Sequence, residues 1–339
     1  MVKQKKGVGI MKEKILKLLK DSGNDFVSGQ KISDALGVSR AAIWKYINII
    51  KEDGYEIEAI SRKGYRILSA PDILTFEEVK NFLSTEYIGK NIIYYDSIGS
   101  TNSKAKELAE IGQEHGTVII SEEQTTGRGR LGRNWVSPKH KGIWISIILR
   151  PNIITENISQ ITLLGAAAVQ KAIMKMGIKT SIKWPNDIVL NGKKVCGILT
   201  EMSGEINHIN YLIMGIGINV NLEEDDIPID LKDVATSLKL ESGKYMDRKI
   251  LLASVINNFE ELYNDFVQNG DIKETIEVCR KNSMLIGKEI KLNNRGKVTM
   301  AKAIDIGDKG ELVIENDKGV IEYIVSGEVS ITGIYGLNN

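Results

Sequence analysis

Over the first fifty or so positions of the chain apolar residues recur every three or four places; further on they more often alternate or run unbroken for short stretches. The first pattern predicts helices and the second strands. Met11, Ile15, Leu18 and Leu19 share one helical face, with lysines between them, and Gly23 can end that helix. Ser28 is suited to cap a second helix with Ile32, Ala35 and Leu36 inward. Gly37 stops it, and Ser39 caps a third that runs to about Asp53 with Ile43, Ile47 and Ile50 in the core. Two short helices joined through Gly37-Val38-Ser39 form a helix-turn-helix pattern. Beyond Gly54, residues 55–60 and 64–68 read as a hairpin with Arg62 and Lys63 at its tip, a basic wing.

Ser69-Ala70-Pro71-Asp72 is a linker, because proline cannot continue a helix and its neighbours are small or polar. Thr75 and Glu78 form a capping-box pattern ahead of a helix. Strands are predicted at 92–95, 118–121, 143–149, 180–184, 187–190, 194–200 and 211–220, the last carrying Gly215 and Gly217, where a ligand or backbone can approach closely. Helices are predicted at 102–111, with Ala105, Leu108 and Ala109 inward, and at 161–176, 248–268 and 272–282; Asn191-Gly192 suits a type I′ turn. From Leu285 the pattern becomes short strands between glycines (289–292, 298–306, 311–315, 319–324 and 329–332), which predicts a small closed β barrel. The outcome is an α+β chain of three domains: a winged helix-turn-helix at 1–70, a central α/β domain with a mixed sheet at 71–283, and a barrel at 284–339.

Composition agrees with a multidomain globular protein: 339 residues, 42% hydrophobic and 26% charged. No apolar stretch nears the ~20 residues that span a bilayer, and the lysines of the first nine positions precede no signal-type hydrophobic segment, so a cytoplasmic protein without membrane contact is expected. Cys196 and Cys279 stand far apart and His115, His140 and His208 are scattered, which supports neither a disulfide framework nor a metal site made by protein ligands alone. Charge changes the picture more. Residues 1–70 hold 14 basic against 8 acidic side chains, a balance of +6, which leaves −5 for the rest. Nucleic acid, if bound, is therefore expected at the N-terminal unit. There Ser39, Arg40, Ala41, Trp44, Lys45 and Asn48 lie on or near the outer face of the third helix, suited to a major groove, with Arg62 and Lys63 suited to phosphates. The competing reading is a bundle that presents a protein interface, with Trp44 as half-buried packing.

Two stretches concentrate the chemistry. Gly127-Arg128-Gly129-Arg130-Leu131-Gly132-Arg133-Asn134-Trp135 interleaves glycine with guanidinium, a device for wrapping anions, and it is expected to be mobile until a ligand orders it. It also satisfies G-x-G-x-x-G, but a dinucleotide fingerprint needs a helix opening at the glycines and an acidic residue about twenty positions on, and neither follows. The second stretch is Lys183-Trp184-Pro185-Asn186-Asp187.

Together with Ser100-Thr101-Asn102 and the N-terminal helix-turn-helix, these motifs resemble the bifunctional biotin–protein ligases that also repress the biotin operon, in the family's order from about residue 11 to about residue 335. The resemblance implies a ligase fold for the central domain and an SH3-like barrel after it. It implies biotin, ATP and Mg²⁺, biotinyl-5′-AMP as intermediate, a lysine of a biotin carboxyl carrier protein as acceptor, operator DNA, and a homodimer when biotinyl-AMP is bound. By the same resemblance Ser100, Thr101, Asn102 and Gln124 meet the polar head of biotin, while Arg128, Gly129 and Arg130 close over carboxylate and phosphate. Lys194 meets the carboxylate or acyl phosphate, Lys183 faces the phosphates, Gly197 leaves room for the ring or tail, and Trp135 covers the adenine or biotin face. Gly217 and Asn219 complete the binding set. Asn186 and Asp187 suit Mg²⁺ or the incoming amine, and Asp187 equally suits buried structure. Many relatives read Asp-Ser-Thr-Asn without the insertion seen at 96–102, which leaves Ser97 as an alternative to Ser100. The rival functions are a lipoate-type acyl ligase and a biotin-sensing repressor without ligase activity; the phosphate-binding set argues against the second.

Overall fold

The structure, a computed structural model, describes residues 2–52, 54–153, 157–205, 208–294 and 297–331, so Asp53 and Thr332, the expected ends of two elements, lie outside the described residues. The chain divides into two compact units, Met1–Ile73 and Leu74–Asn339.

The first unit comprises α1 (Val2–Asp21), α2 (Gly29–Leu36) and α3 (Arg40–Glu52), then the antiparallel hairpin β1 (Glu56–Ile60) and β2 (Gly64–Ser69). α1 starts well before Met11, in a lysine-rich stretch with no apolar stripe to reveal it and with glycines at 7 and 9 that argue locally against a helix. Ser28 Oγ accepts from Lys31 N (3.1 Å) to open α2, Gly37 closes it at φ 66°, and Ser39 Oγ accepts from Ala42 N (3.2 Å) to open α3. Ile15, Leu19, Ile32, Ile43 and Ile50 are fully buried. Ala35, expected inward, is exposed; Leu36 and Val38 pack against the core instead. Gly64 is required: at φ 117° a Cβ would sit 2.1 Å from Val27 O.

The second unit opens with α4 (Phe76–Val79), and here the expected capping box is absent. Thr75 makes no side-chain cap, and Glu78 is buried, with Lys249 Nζ 4.0 Å from its carboxylate. Then follow β3 (Ile92–Tyr95), α5 (Thr101–Glu110), β4 (Val118–Ser121), β5 (Gly142–Leu149), α6 (Ile158–Lys175), β6 (Ser181–Lys183), β7 (Asp187–Leu190), β8 (Lys193–Glu205) and β9 (His208–Asn219). The strands make one mixed sheet in the order β3-β4-β5-β9-β8-β7-β6, with β3 and β4 parallel and the other pairs antiparallel. After α7 (Leu238–Ser242), the helices α8 (Arg248–Asn269) and α9 (Lys273–Lys281) complete the helical layer.

Alternation along β9 explains the position of the site. Leu212, Met214, Ile216 and Ile218 point to the core shared with α6 and α8. On the other face, Tyr211 and Ile213 pack with Ala105 and Ala109 of α5, and that face then continues as Gly215, Gly217 and Asn219. Helix covers half of this face, and the other half has lost its side chains.

The C-terminal strands are β10 (Glu289–Asn294), β11 (Lys297–Ile306), β12 (Leu312–Asn316), β13 (Ile321–Ile324) and β14 (Glu328–Ile331). They form an antiparallel sheet in the order β13-β12-β11-β10-β14, curled by a bulge between Ala303 and Asp305. The barrel expected from sequence is not closed: among the described residues β13 and β14, each four residues long, do not pair with each other. No helix among the described residues is long and apolar enough to cross a membrane.

At the end of β4 the fully buried Glu122 ties four segments together. Its carboxylate accepts from Leu74 N (2.8 Å) and from Arg248 at the start of α8 (2.8 Å), and His140 Nδ1 lies 3.2 Å away. Arg248, also fully buried, donates to Gly142 O at the start of β5 (2.8 Å). Burial, and then the Glu122 charge, hold the Tyr94 hydroxyl well above its ordinary pKa, so it remains a donor. Removing one partner leaves a buried charge without compensation. Arg248→Met is therefore expected to lower unfolding free energy by about 3–5 kcal/mol in urea titrations, whereas replacing Glu122 and Arg248 together with apolar residues should cost much less.

Candidate active site

Each side of the site is built by an element whose sequence explains it. Across four strands the register sets Trp144, Gly217, Gly197 and Asp187 in one row, and the next row is Ser146, Gly215 and Leu199. The glycines make a trench. The Trp135 indole lies in it, and a Cβ on Gly217 would be 2.6 Å from Trp135 Nε1, while one on Gly197 would be 2.9 Å from the ring. Over the second row the Asn102 amide is seated so closely that a Cβ on Gly215 would be 2.2 Å from its Oδ1.

The arginine loop is a hairpin: Trp135 N donates to Gly127 O (2.9 Å) and Gly129 N to Arg133 O (2.7 Å), with a 3₁₀ turn at Arg130–Gly132. No α-helix opens at its glycines, so the G-x-G-x-x-G match is not a dinucleotide fingerprint here. Gly132 uses positive φ (74°), whereas Gly127 is glycine for space, since a Cβ would lie 2.3 Å from Trp135 O. The tip residue Leu131 is 75% exposed and itself at φ 55°.

The two motifs meet at the loop tip. Arg130 donates to Asn186 Oδ1 (2.7 Å) and to Gly327 O of the C-terminal sheet (3.2 Å), and Asn186 Nδ2 donates to Ile198 O (2.9 Å). Trp184 is buried and donates to Gly310 O (2.9 Å), which fixes the turn after Lys183. Lys194 Nζ stands 2.6 Å from Asp187 Oδ1, an ion-pair distance without hydrogen-bond alignment, and 5.2 Å from the centre of the Trp135 ring.

On the other side, Ser100 caps α5, its Oγ accepting from Ser103 N (3.4 Å), and Gln124 Oε1 accepts from Thr101 N (2.8 Å) and lies 3.0 Å from Thr101 Oγ1. Asn102 Nδ2 donates to Glu201 (2.8 Å), and Ser146 Oγ donates to Asn102 Oδ1 (2.6 Å). Asn219 donates to Thr236 O (3.0 Å), and its buried Oδ1 has no partner.

One cavity of about 560 Å³ touches the fifteen residues that the resemblance assigns to ligand binding or catalysis: Ser100, Thr101, Asn102, Gln124, Arg128, Gly129, Arg130, Trp135, Lys183, Asn186, Asp187, Lys194, Gly197, Gly217 and Asn219. Ser97 is not among its walls; it donates to Glu123 (2.7 Å) at the surface. The charged side chains on the walls are Arg128, Arg130, Arg133, Lys183, Lys194 and Lys291 against Asp187 and Asp226, an excess of four positive charges that suits a polyanion. Among the described residues no three His, Cys, Asp or Glu side chains gather as a metal cage.

Ser146, Glu201 and the C-terminal wall of Lys291, Gly327 and Ser330 were missed in the sequence. Ser146 carried a signal, being the lone hydroxyl in the apolar run 143–149. Glu201 and the C-terminal residues carried none, because register and docking bring them in.

In the first unit, Ser39, Arg40, Ala41, Trp44 and Lys45 are exposed and Asn48 is half-buried, along one side of α3. Trp44 is 58% exposed, so part of its ring remains in contact with the protein. Arg62 and Lys63 are exposed at the β1–β2 turn.

Known proteins resemble every part of this arrangement. The Biotin/lipoate A/B protein ligase family matches residues 94–219, an HTH domain matches 12–66, and the Biotin protein ligase C terminal domain matches 285–331. The bifunctional ligase/repressor BirA of Bacillus spizizenii is 42% identical over 95% of this chain and 98% of its own length. That of Escherichia coli is 28% identical over 94% and 96%. The biotin protein ligase of Aquifex aeolicus, solved in complex with biotin and ATP, superposes with a TM-score of 0.63 at 35% identity, over 71% of this chain and 98% of that one.

The trench itself can be tested. Gly217→Ala is expected to lift the indole, so that Trp135 becomes more accessible to acrylamide quenching than in the parent protein, a change that disappears when Trp135→Phe is added.

Proposed function

The chain belongs to the bifunctional biotin ligase/repressors, and on that premise we propose that the trench cavity carries both ligase steps while the winged helix-turn-helix reads the operator. The protein is an ATP-dependent biotin–protein ligase and a transcriptional repressor of biotin genes. In the first step a carboxylate oxygen of biotin attacks the α-phosphorus of ATP and pyrophosphate leaves, giving biotinyl-5′-AMP. In the second, the amine of a carrier-protein lysine attacks the acyl carbon, AMP leaves, and an amide forms with loss of the amine proton. No nucleophile of the enzyme's own is needed. The work is to hold two anions together, stabilise charge at phosphorus and exclude water.

The observation that carries the site assignment is the Arg130–Asn186 contact, which joins the arginine loop to the Lys183–Asp187 turn over one positively charged cavity. We assign Arg128, Gly129 and Arg130 to the carboxylate and α-phosphate, Lys183 to the phosphates, and Lys194 to the carboxylate and then the acyl phosphate. Ser100, Thr101, Asn102 and Gln124 take the ureido head, and Trp135, Gly197, Gly217 and Asn219 form the walls around the intermediate. Asp187, beside Lys194, is assigned to orienting the carrier amine. Mg²⁺ fits as a passenger on phosphate oxygens rather than as a protein-caged ion, since Asp187 and Asn186 are already engaged by Lys194 and Arg130. Bound there, it would neutralise phosphate charge.

Repression follows from occupancy: the form that holds biotinyl-AMP pairs with a second copy, and a two-fold dimer matches a two-fold operator. Incubation with biotin, MgATP and a carrier domain should add one biotinyl group by intact mass, and Arg130→Ala should slow this about 100-fold or more. Biotin binding without transfer by the parent protein would favour a sensor. Operator binding should tighten with biotinyl-AMP, and Lys45→Ala should lower the slope of log affinity against log salt by about one; equal affinity with and without the intermediate would sink the dimer switch.

A further inference from the structure

The polar atoms behind the Ser100–Asn102 turn are wired in one direction. Asn102 is buried, and both hydrogens of its amide are committed, Nδ2 donating to Glu201 Oε2 (2.8 Å) and to Leu199 O (3.4 Å). Its Oδ1 receives the hydroxyl of Ser146 at 2.6 Å. Rotating the amide by half a turn would set Oδ1 against the Glu201 carboxylate, two groups that only accept, so the carboxylate selects the orientation. Lys106 Nζ, 2.5 Å from Glu201 Oε1, holds that carboxylate in place. Ser146 is fully buried in the middle of β5, opposite Gly215; it has one hydrogen, and giving it to Asn102 sets the Thr101 hydroxyl, 2.8 Å away, to donate to Ser146 Oγ, while Gln124 Oε1 keeps the Thr101 N–H. What remains to Asn102 is a single free lone pair, so it offers the cavity an acceptor and no donor.

We propose that Ser146 and Glu201 are positioning residues for ligand selection: they hold the Asn102 amide so that it reads an N–H of the ligand's cyclic urea. This rests on the biotin-head assignment made above. Neither residue needs to touch the ligand. Losing either frees the amide to rotate, and the cost falls on recognition of the head rather than on phosphoryl or acyl chemistry at the other end of the trench.

The test is steady-state formation of AMP with a carrier domain, for the parent protein, Ser146→Ala, Glu201→Gln and Glu201→Leu, using biotin and its two N-methyl ureido analogues. Loss of one oriented hydrogen bond should raise the KM for biotin about tenfold in Ser146→Ala and Glu201→Leu. The KM for ATP and the kcat at saturating biotin should stay within about twofold. Glu201→Gln, which can still accept from Asn102, should recover most of the affinity. The preference for biotin over the more strongly rejected N-methyl analogue should shrink in the same two variants. Equal losses for biotin and ATP, a fall in kcat with biotin KM unchanged, or an undiminished preference would overturn the proposal. If Ser146→Ala does not fold by near-ultraviolet circular dichroism, the Glu201→Gln and Glu201→Leu pair decides alone. Absence of biotin-dependent AMP formation in the parent protein would instead overturn the assignment of the cavity, a separate result.

Discussion

A seven-stranded sheet has two faces to bury, and this chain has helix enough for one and a half. The half left over is the site. Where α5 ends, the residues of β9 and β8 that would meet it become Gly215, Gly217 and Gly197, and the space they release is taken by Asn102 and Trp135 and by the cavity between them. An apolar side chain at any of these positions would extend the core and close the trench. Polar atoms left there without partners, Trp135 Nε1 and Asn219 Oδ1, are what a surface awaiting a ligand retains and a finished core does not.

The trench has value only if its walls keep their places, and buried charge does much of that. Glu122 and Arg248 bind the end of β4, the start of β5, the start of α8 and Leu74 into one knot, and Gln124 is only two residues from it. The arginine loop thus leaves from and returns to an anchored base while its tip, with the positive-φ Leu131, stays at the surface. The C-terminal sheet closes the far side by accepting from Trp184 and Arg130 through backbone carbonyls. Contacts of that kind ask for backbone geometry and leave side-chain identity free.

The electrostatic division of labour is equally plain. Cations line one end of the cavity, and a hydrogen-bond network backed by the Lys106–Glu201 ion pair lines the other, which suits a ligand with a polyanionic end and a neutral polar head. The two ends meet at Lys194 and Asp187, beside the Trp135 indole.

Much of this was legible in the sequence. Helix caps at Ser28 and Ser39, the turn at Asn191-Gly192 and the strand that carries Gly215 and Gly217 are local, set by neighbours within a turn or a pleat, and they stand as the residues predict. The arginine loop announced anion chemistry by residue type alone, and the Lys183–Asp187 turn did so through its resemblance to the ligase family. Local signals failed where long-range packing overrode them. The Thr75–Glu78 pattern makes no capping box because Glu78 is buried near Lys249, and the last strands leave an open curled sheet because strand pairing, not glycine spacing, decides closure. Ser146, Glu201 and Gly327 became part of the site only through register and docking, since residues 44, 99 and 197 positions from their partners meet only once the sheet and its C-terminal neighbour have formed. Residue type determined which chemistry this chain can perform; tertiary structure decided which atoms face it, because a hydrogen bond's direction belongs to a pair and no single residue carries it.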